Sequence, residues 1–523
     1  MARRSVERGY NSRTRQCYSC GVRIVLSDRE PTTLAVDALL LPFPDAPGKP
    51  KLPLRKHLSS DAETLAPRLP ESCGWVGTRR SRAPRALLAR GPAQHDVSQL
   101  LGGACGSPDD ETVRVTARRD RLGLGAKIER ACRGPGCRRV ALHTGADLDL
   151  ALDLLEGMAL RAYTFDEFSE RDPGLRQVTW TVAKGDKSEA KRRLALLQAK
   201  LEGMRLARTL ADLPPNAGTP EQIADRVATR AEAVGLHVDA LGRSEIEELE
   251  MGLFCAIAKG SHREPRLLVL EHRPAAVEEG ARPEVALVGK GVTLDAGGYN
   301  LKSIGMHEMN YDKAGAAAVI GAMIAIARAQ LPVHVVAACP LAENALGPEA
   351  IRPGAIVRAY DGRSVYIENV DAEGRLLMAD TLAWLCEREP RRVIDVATLT
   401  GAAHTALGEP FAALFANDDE LRDALLAAGR RADERLWPMP IDDLHDRELA
   451  HARADLRNVG APAGGASAAA AFLRYFVSGA WAHIDLAGKE VAAFERDYMG
   501  AGASGFGTRL LFEYVRALGE RRG

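Results

Sequence analysis

The sequence predicts an α/β fold: a small N-terminal α/β domain, then a large C-terminal α/β domain built on a mixed, doubly wound sheet. Short, nearly continuous apolar runs recur from about residue 265, at Leu267–Leu270, Val285–Val288, Val333–Ala338 and Val393–Ala397. Runs of that length fit strands covered on both faces. Helical stretches at 313–329, 374–388 and 418–432 alternate with strands, and such alternation lays helices on both sides of a sheet. A chain of 523 residues also has room for roughly two to four domains.

The elements follow in order. Residues 1–30 hold seven arginines against three acids, with little apolar periodicity, and read as a disordered basic tail. Residues 31–180 form the small domain, with strand-like runs at Leu34–Leu41 and Val140–His143. Asp147–Ala162 reads as an amphipathic helix with Leu148, Leu152, Leu155 and Ala159 on one stripe. Between about 66 and 110, Pro, Gly and Arg crowd together and periodicity fades, as in a long loop. Residues 181–212 make a connecting helix, stopped by Pro214-Pro215-Asn216. In Thr219-Pro220-Glu221-Gln222, Thr219 can cap a new helix, Pro220 suits its first turn and Gln222 completes a capping box. Residues 213–523 form the large domain. Within it, Ile356–Tyr360 and Ser364–Val370 flank Asp361-Gly362, a hairpin signal.

Composition excludes several classes. With 46% apolar and 27% charged residues, a large core is possible and wholesale disorder is not. Lysine plus arginine, 70, equals aspartate plus glutamate, 70. That balance argues against a chain built mainly to hold nucleic acid or an anionic membrane. The arginines of 1–30 and 79–90 keep a DNA-binding or regulatory role as an alternative. The longest apolar stretch, Gly315–Ala327, suits a buried helix and is too short for a membrane span. The N-terminus lacks the apolar core of a secretory signal. Nine irregularly spaced cysteines read as reduced thiols in a cytoplasm.

Two clusters carry chemistry. The first is Lys290-Gly-Val-Thr-Leu-Asp295-Ala-Gly-Gly-Tyr-Asn-Leu-Lys302, followed by Asp312. It begins where a strand ends, the place where sites gather in open α/β sheets. The second is Asn369-Val-Asp371-Ala-Glu373-Gly-Arg375-Leu. If its backbone is extended, Asp371, Glu373 and Arg375 share one face. Asp295, Asp312, Asp371 and Glu373 would repel one another at strand ends unless cations sat among them. Two divalent ions would offset them, and oxygen-rich ligation suits Zn, Mn or Mg. Acidic loops are also commonly just solvated. A glycine-rich loop can instead cradle phosphate, but neither G-x-G-x-x-G nor G-x-x-x-x-G-K-[ST] occurs here.

VGKGVTLDAGGYNLK, MNYDKAGAAAV, ENVDAEGRLLMADTL and DVATLTGAA closely resemble the motifs of the leucyl (cytosol) aminopeptidases, including the bacterial peptidase B branch. The resemblance spans about 185–523 and, loosely, 115–185. It implies a catalytic dimetal aminopeptidase domain over 213–523. That domain would hydrolyse the N-terminal residue from short peptides with a free N-terminus, through a hydroxide bridging two metals. It implies that Asp295 and Glu373 bridge both ions, that Lys290 and Asp312 complete one site, and that Asp371 completes the other. Lys302 would polarise the scissile carbonyl, and Arg375 would hold a bicarbonate that shuttles a proton. Met309, Thr398, Leu399, Thr400 and Gly401 match positions lining the substrate cleft. The ions would be Zn or Mn, with Mg a further candidate, and the assembly a homohexamer. A catalytically silent relative is the other alternative.

The chain departs from the family pattern in three places. The stretch between Lys302 and Asp312 is one residue shorter. Lys313 replaces a usual methionine, either weakening metal binding by repulsion or pointing elsewhere. Val370 replaces a usual threonine. Other residues tempt without a matching pattern. Cys17, Cys20, Cys132 and Cys137 have loose spacing for zinc. Cys255, Cys339 and Cys386 read as packed thiols. His307 reads as an exposed loop residue. Asp485, ending a strand, reads as an acceptor for backbone donors.

Overall fold

The computed structural model describes residues 22–27, 38–44, 74–77, 85–91, 111–133, 138–144, 147–169, 174–182, 186–492 and 498–521. They fall into two compact units, one taking in residues up to 194 together with 498–500, the other the remainder. Among the described residues no helix is long and apolar enough to cross a membrane.

The first unit is a six-stranded sheet in the order β1 (Arg23–Ser27), β6 (Gln177–Thr181), β5 (Arg139–His143), β2 (Ala38–Pro44), β4 (Arg85–Gly91) and β3 (Gly74–Gly77). Its neighbours run parallel except β3 and β4. Helices α1 (Glu111–Arg133) and α2 (Leu148–Ala162) pack together, and Asp147 caps α2 by accepting from the Leu150 amide. Two sequence expectations are corrected here. Arg23–Ser27 is a strand and not tail, because Ile24-Val25-Leu26 is a short apolar run with β-branched members. The stretch read as a loop between 66 and 110 contains β3 and β4. Arginines and glycines around Trp75-Val76 and Ala86-Leu87-Leu88-Ala89 hide the apolar run of each. The rest of the basic tail, with Cys17, Cys20 and Cys137, lies outside the described residues.

The second unit follows the predicted alternation. Its nine-stranded sheet has the order β16 (Leu436–Pro438), β15 (Ala412–Ala416), β18 (Ala480–Asp485), β14 (Arg392–Ala397), β9 (Val285–Gly289), β11 (Val335–Asn344), β8 (Arg266–His272), β7 (His237–Leu241), with β10 (Gly291–Asp295) also pairing β11. The centre, β18, β14, β9 and β11, is parallel. Antiparallel pairs flank it at β15–β18, β8–β11 and β7–β8. The central strands are buried throughout their apolar runs because helices cover them. One of these, α6 (Ala314–Arg328), is buried from Ala314 to Ala327 and packs on β9, β11 and β14. The capping box at Thr219 opens α4 (Pro220–Glu232) as expected.

Strand β11 is longer than its sequence signal because it changes partner. Val335–Ala338 pair with Val285–Val288 of β9, and Leu341–Asn344 pair with β10. Along β10 the register slips between Val292 and Leu294, leaving Thr293 as the extra residue of a bulge. The predicted hairpin is present but shorter: β12 (Ile356–Arg358) pairs with β13 (Ser364–Tyr366), and the strand stops well before Asp371.

Candidate active site and metal centre

The parallel strands β9, β14, β18 and β11 point their C-terminal ends at one place. The chemistry-bearing residues leave from those ends. Lys290 follows β9, Asp295 ends β10, Thr398 follows β14 and Asp485 ends β18.

Close packing decides where Lys290 goes. A Cβ at Gly374 would lie on the Lys290 side chain, 2.7 Å from its Nζ, so any larger residue there would push the lysine off this path. Lys290 is 3% exposed. Its Nζ donates to Asp312 Oδ1 at 2.7 Å and to the Thr398 carbonyl at 2.8 Å, and lies 2.9 Å from Glu373 Oε1. Burial pulls its pKa down, but Asp312, Glu373 and Asp295 outweigh that and hold it above the usual lysine range.

Asp295 is anchored through one oxygen. Its Oδ1 accepts from the Gly297 amide at 2.9 Å and from Asn344 Nδ2 at 2.8 Å. Its Oδ2 faces Lys302 Nζ at 2.7 Å. The turn that brings Lys302 back uses Gly297 and Gly298 at φ 83° and 55°, a region costly for other residues. Lys302 Nζ also lies 2.5 Å from Asp371 Oδ1. Burial opposes its charge, yet Asp295 and Asp371 keep its pKa above the ordinary value.

The second cluster departs from the extended form predicted. Glu373 is the N-cap of helix α7 (Gly374–Cys386), Arg375 sits in its first turn, and Asp371 lies in the preceding turn. The helix start, not strand alternation, brings Glu373 to the cluster. Asp295, Asp312 and Glu373 offer carboxylate oxygens all within 4.8 Å of one another, the one such acidic group among the described residues. Burial raises the pKa of Asp312 and of Glu373, and the neighbouring carboxylates push the same way against Lys290. Asp312 Oδ2 and Glu373 Oε2 are buried with no hydrogen-bond partner. Four carboxylates thus face two lysines, and buried lone pairs stay unsatisfied. Such a donor set fits divalent cations.

The other predicted residues fall around this group. Arg375 is buried, with Nη1 donating to the Asn458 carbonyl at 2.7 Å and Nε unpartnered. Burial lowers its pKa to about 10, opposed by Glu373 and Asp485. Thr398 Oγ1 donates to Asp312 Oδ1 at 2.7 Å. Thr400 caps helix α8 (Gly401–Leu407). Met309 lies half-buried in the 3₁₀ segment Met306–Lys313, which ends one residue after Asp312. His307 is exposed. Lys313 points away: its buried Nζ donates to the carbonyls of Leu213 and Asn310, and burial takes its pKa down to about 7. Cys339 is buried, and Cys255 and Cys386 are partly so. Sequence reasoning missed Asn344, which joins Asp295 to the Val370 carbonyl, and Asn458, which binds the 368–369 backbone and Arg375. A polar residue ending a long apolar strand was the only signal for Asn344. Asn458 had none.

The family model for the cytosol aminopeptidase family, catalytic domain, matches residues 205–512. The chain belongs to the cytosol aminopeptidase family. It is 38% identical to a probable cytosol aminopeptidase of Geobacter sulfurreducens, over 82% of this chain and 86% of that one. It is 42% identical to another from Syntrophotalea carbinolica, over 69% and 74%. Among solved structures it is similar to the bottromycin maturation enzyme BotP, at 30% identity and a TM-score of 0.77, covering 93% of this chain and 100% of that one. A second BotP structure, in complex with Mn, gives the same values. The acidic group Asp295, Asp312 and Glu373 lies inside the cytosol aminopeptidase match.

Proposed function

We propose that this chain is a dimetal aminopeptidase of the leucyl type that removes the N-terminal residue from short peptides. The observation that carries the reading is the buried, partnerless pair Asp312 Oδ2 and Glu373 Oε2 within a cluster of carboxylates. Lys290, Asp295, Asp312, Asp371 and Glu373 would hold two divalent ions, Zn or Mn. When bound, these ions supply Lewis acidity, activating a water and receiving the substrate's free amine. Oδ1 of Asp295 is held by Gly297 and Asn344, and its Oδ2, facing the cluster beside Lys302, is the less encumbered oxygen for this task.

The chain's own groups do the rest. Lys302, held charged by Asp295 and Asp371, draws on the scissile carbonyl and then holds the developing oxyanion. Arg375, whose buried Nε–H has no hydrogen-bond partner, would hold a small anion such as bicarbonate, which would supply the proton transfer to the leaving amine. Met309 and Thr398–Gly401 line the cleft. The assembly is read as a homohexamer in the cytoplasm.

The test is paired. Peptides with a free N-terminus should be cleaved and their N-acetylated forms left intact. Asp295→Ala or Glu373→Ala should lose both ions and activity while the circular dichroism spectrum persists. Cleavage of the N-blocked peptide at a rate near that of the free one, or two metal equivalents retained in Glu373→Ala, overturns the reading.

A further inference from the structure

The hydrogen bonds of Asp485 go to Leu399, Thr400 and Ala487 and not to the acidic cluster, and its carboxylate is buried. Among the described residues it is 1% exposed. Its Oδ1 accepts from the Leu399 amide at 3.0 Å and from the Ala487 amide at 3.2 Å. Its Oδ2 accepts from Thr400 Oγ1 at 2.7 Å. With its proton given to Asp485, Thr400 Oγ1 has a lone pair left for the Ala403 amide at 3.1 Å, capping α8. Asp485 stands opposite Ala397 in the parallel ladder of β14 and β18, so it meets the chain just as it leaves the sheet.

A peptide group is planar and trans, so its N–H and C=O point in opposite directions. The peptide between Thr398 and Leu399 has its N–H on Asp485 and its C=O on Lys290 Nζ, 2.8 Å away. One rigid plane therefore joins Asp485 to Lys290. We propose that Asp485 is a positioning residue that, through this peptide, sets the direction in which Lys290 presents its amine to a divalent ion. The inference rests on the aminopeptidase reading, in which Lys290 is a ligand. An amine that spends one N–H on a fixed carbonyl has its lone pair aimed. A carbonyl free to rotate with its peptide would aim it poorly. The negative charge matters because charge-assisted hydrogen bonds are about twice as strong as neutral ones. An asparagine would hold the Leu399 amide, but less firmly.

The experiment is titration of the metal-free protein with Mn²⁺ against a chelating dye, for the wild type, Asp485→Asn and Asp485→Ala, with melting temperatures in parallel. Loss of an outer partner of a metal ligand costs about tenfold or more in affinity. Asp485→Ala should lose at least about that factor for the weakened ion, and Asp485→Asn less, with turnover of both recovering as Mn²⁺ is raised. Wild-type affinity in Asp485→Ala, or equal losses in the two variants, overturns the proposal. If Asp485→Ala does not fold, Asp485→Asn decides alone: weakened binding with recovery supports the proposal, and unchanged binding ends it. A wild type that binds Mn²⁺ and cleaves free-amine peptides while Asp485→Ala matches it defeats only this inference. A wild type that does neither defeats the aminopeptidase reading itself.

Discussion

The two lysines of the site each have two carboxylates at hydrogen-bond distance, Asp312 and Glu373 for Lys290, Asp295 and Asp371 for Lys302, but different surroundings. Lys290 is sealed in against Gly374 and the Thr398 carbonyl, whereas the Lys302 side chain is 19% exposed. A sealed amine can serve only the cluster; an accessible one can meet a substrate oxygen. Lys302→Ala should therefore keep both metals and near-normal KM while kcat falls by about 10²–10³. Lys290→Ala should bind metal more weakly and recover some activity when metal is added in excess. Metal analysis with steady-state kinetics checks both, and the roles are exchanged if Lys302→Ala is the variant that loses metal. All the acidic and basic members of the site were legible in the sequence because their motifs resemble a known family. Their supports were not. Asn344 and Asn458 act through side-chain amide contacts to distant backbone, and such pairings have no sequence spacing to read; Asp485 is the exception, its place at a strand end marking it as the acceptor for backbone donors that it is.

Elements bring these residues together by packing closely, and glycine marks where. Helix α3 (Lys187–Asp212) crosses α6 at Gly203 and Gly321, where a Cβ on Gly321 would lie 2.6 Å from the Gly203 carbonyl oxygen and 2.8 Å from Ala207 Cβ. Neither the backbone oxygen nor the alanine can swing aside. Gly321→Ala should cost about 1–3 kcal/mol by overpacking. A urea midpoint unchanged from wild type would show that the helices can part. Strands β8, β9, β11 and β14 of the second unit were legible because burial on both faces leaves continuous apolar runs, whereas β7, β10, β15 and β16 were not read from the sequence. β3 and β4 were not, since their runs are short and interrupted by glycine and arginine. The segment before Glu373 was misjudged because the turn after β13 keeps strand-like composition, Ile367 and Val370 being buried apolar residues there.

The fold as a whole carries buried charge away from the site as well, and this gives it a pH signature. Asp380 of α7 is buried, and its carboxylate accepts from the amides of Phe254 at 3.0 Å and Tyr360 at 2.9 Å. Burial nevertheless takes its pKa up to about 7. A carboxyl whose folded pKa is raised holds its proton after the unfolded chain has released one. Between about pH 4 and 7 the unfolded state binds fewer protons, so rising pH removes stability, and the loss stops above 7. Asp380→Asn cannot ionise, so the stability difference between it and the wild type should move in the variant's favour across that window. Denaturant titrations of metal-free protein at the two ends would show it, and a constant difference would place the Asp380 pKa at its ordinary value. The bulge at Thr293 has a different kind of consequence, one of parity. Lys290 lies between the two ladders, but the register is the same on either side of it, Val288 opposite Ala338 and Gly291 opposite Leu341, which brings Lys290 level with Pro340, while Asp295 pairs with Asn344. The separation is odd along one chain but even along its neighbour. On a strand, even separations share a side and odd ones do not. Thr293 is thus the residue that turns five steps into four and puts Lys290 and Asp295 on the same side. A gain or loss of one residue between them would undo the count and face one of them away from the other. Among the described residues no ladder runs beside the stretch from Lys302 to Asp312, so a residue gained or lost there shifts no register, and the ring of charges can still close.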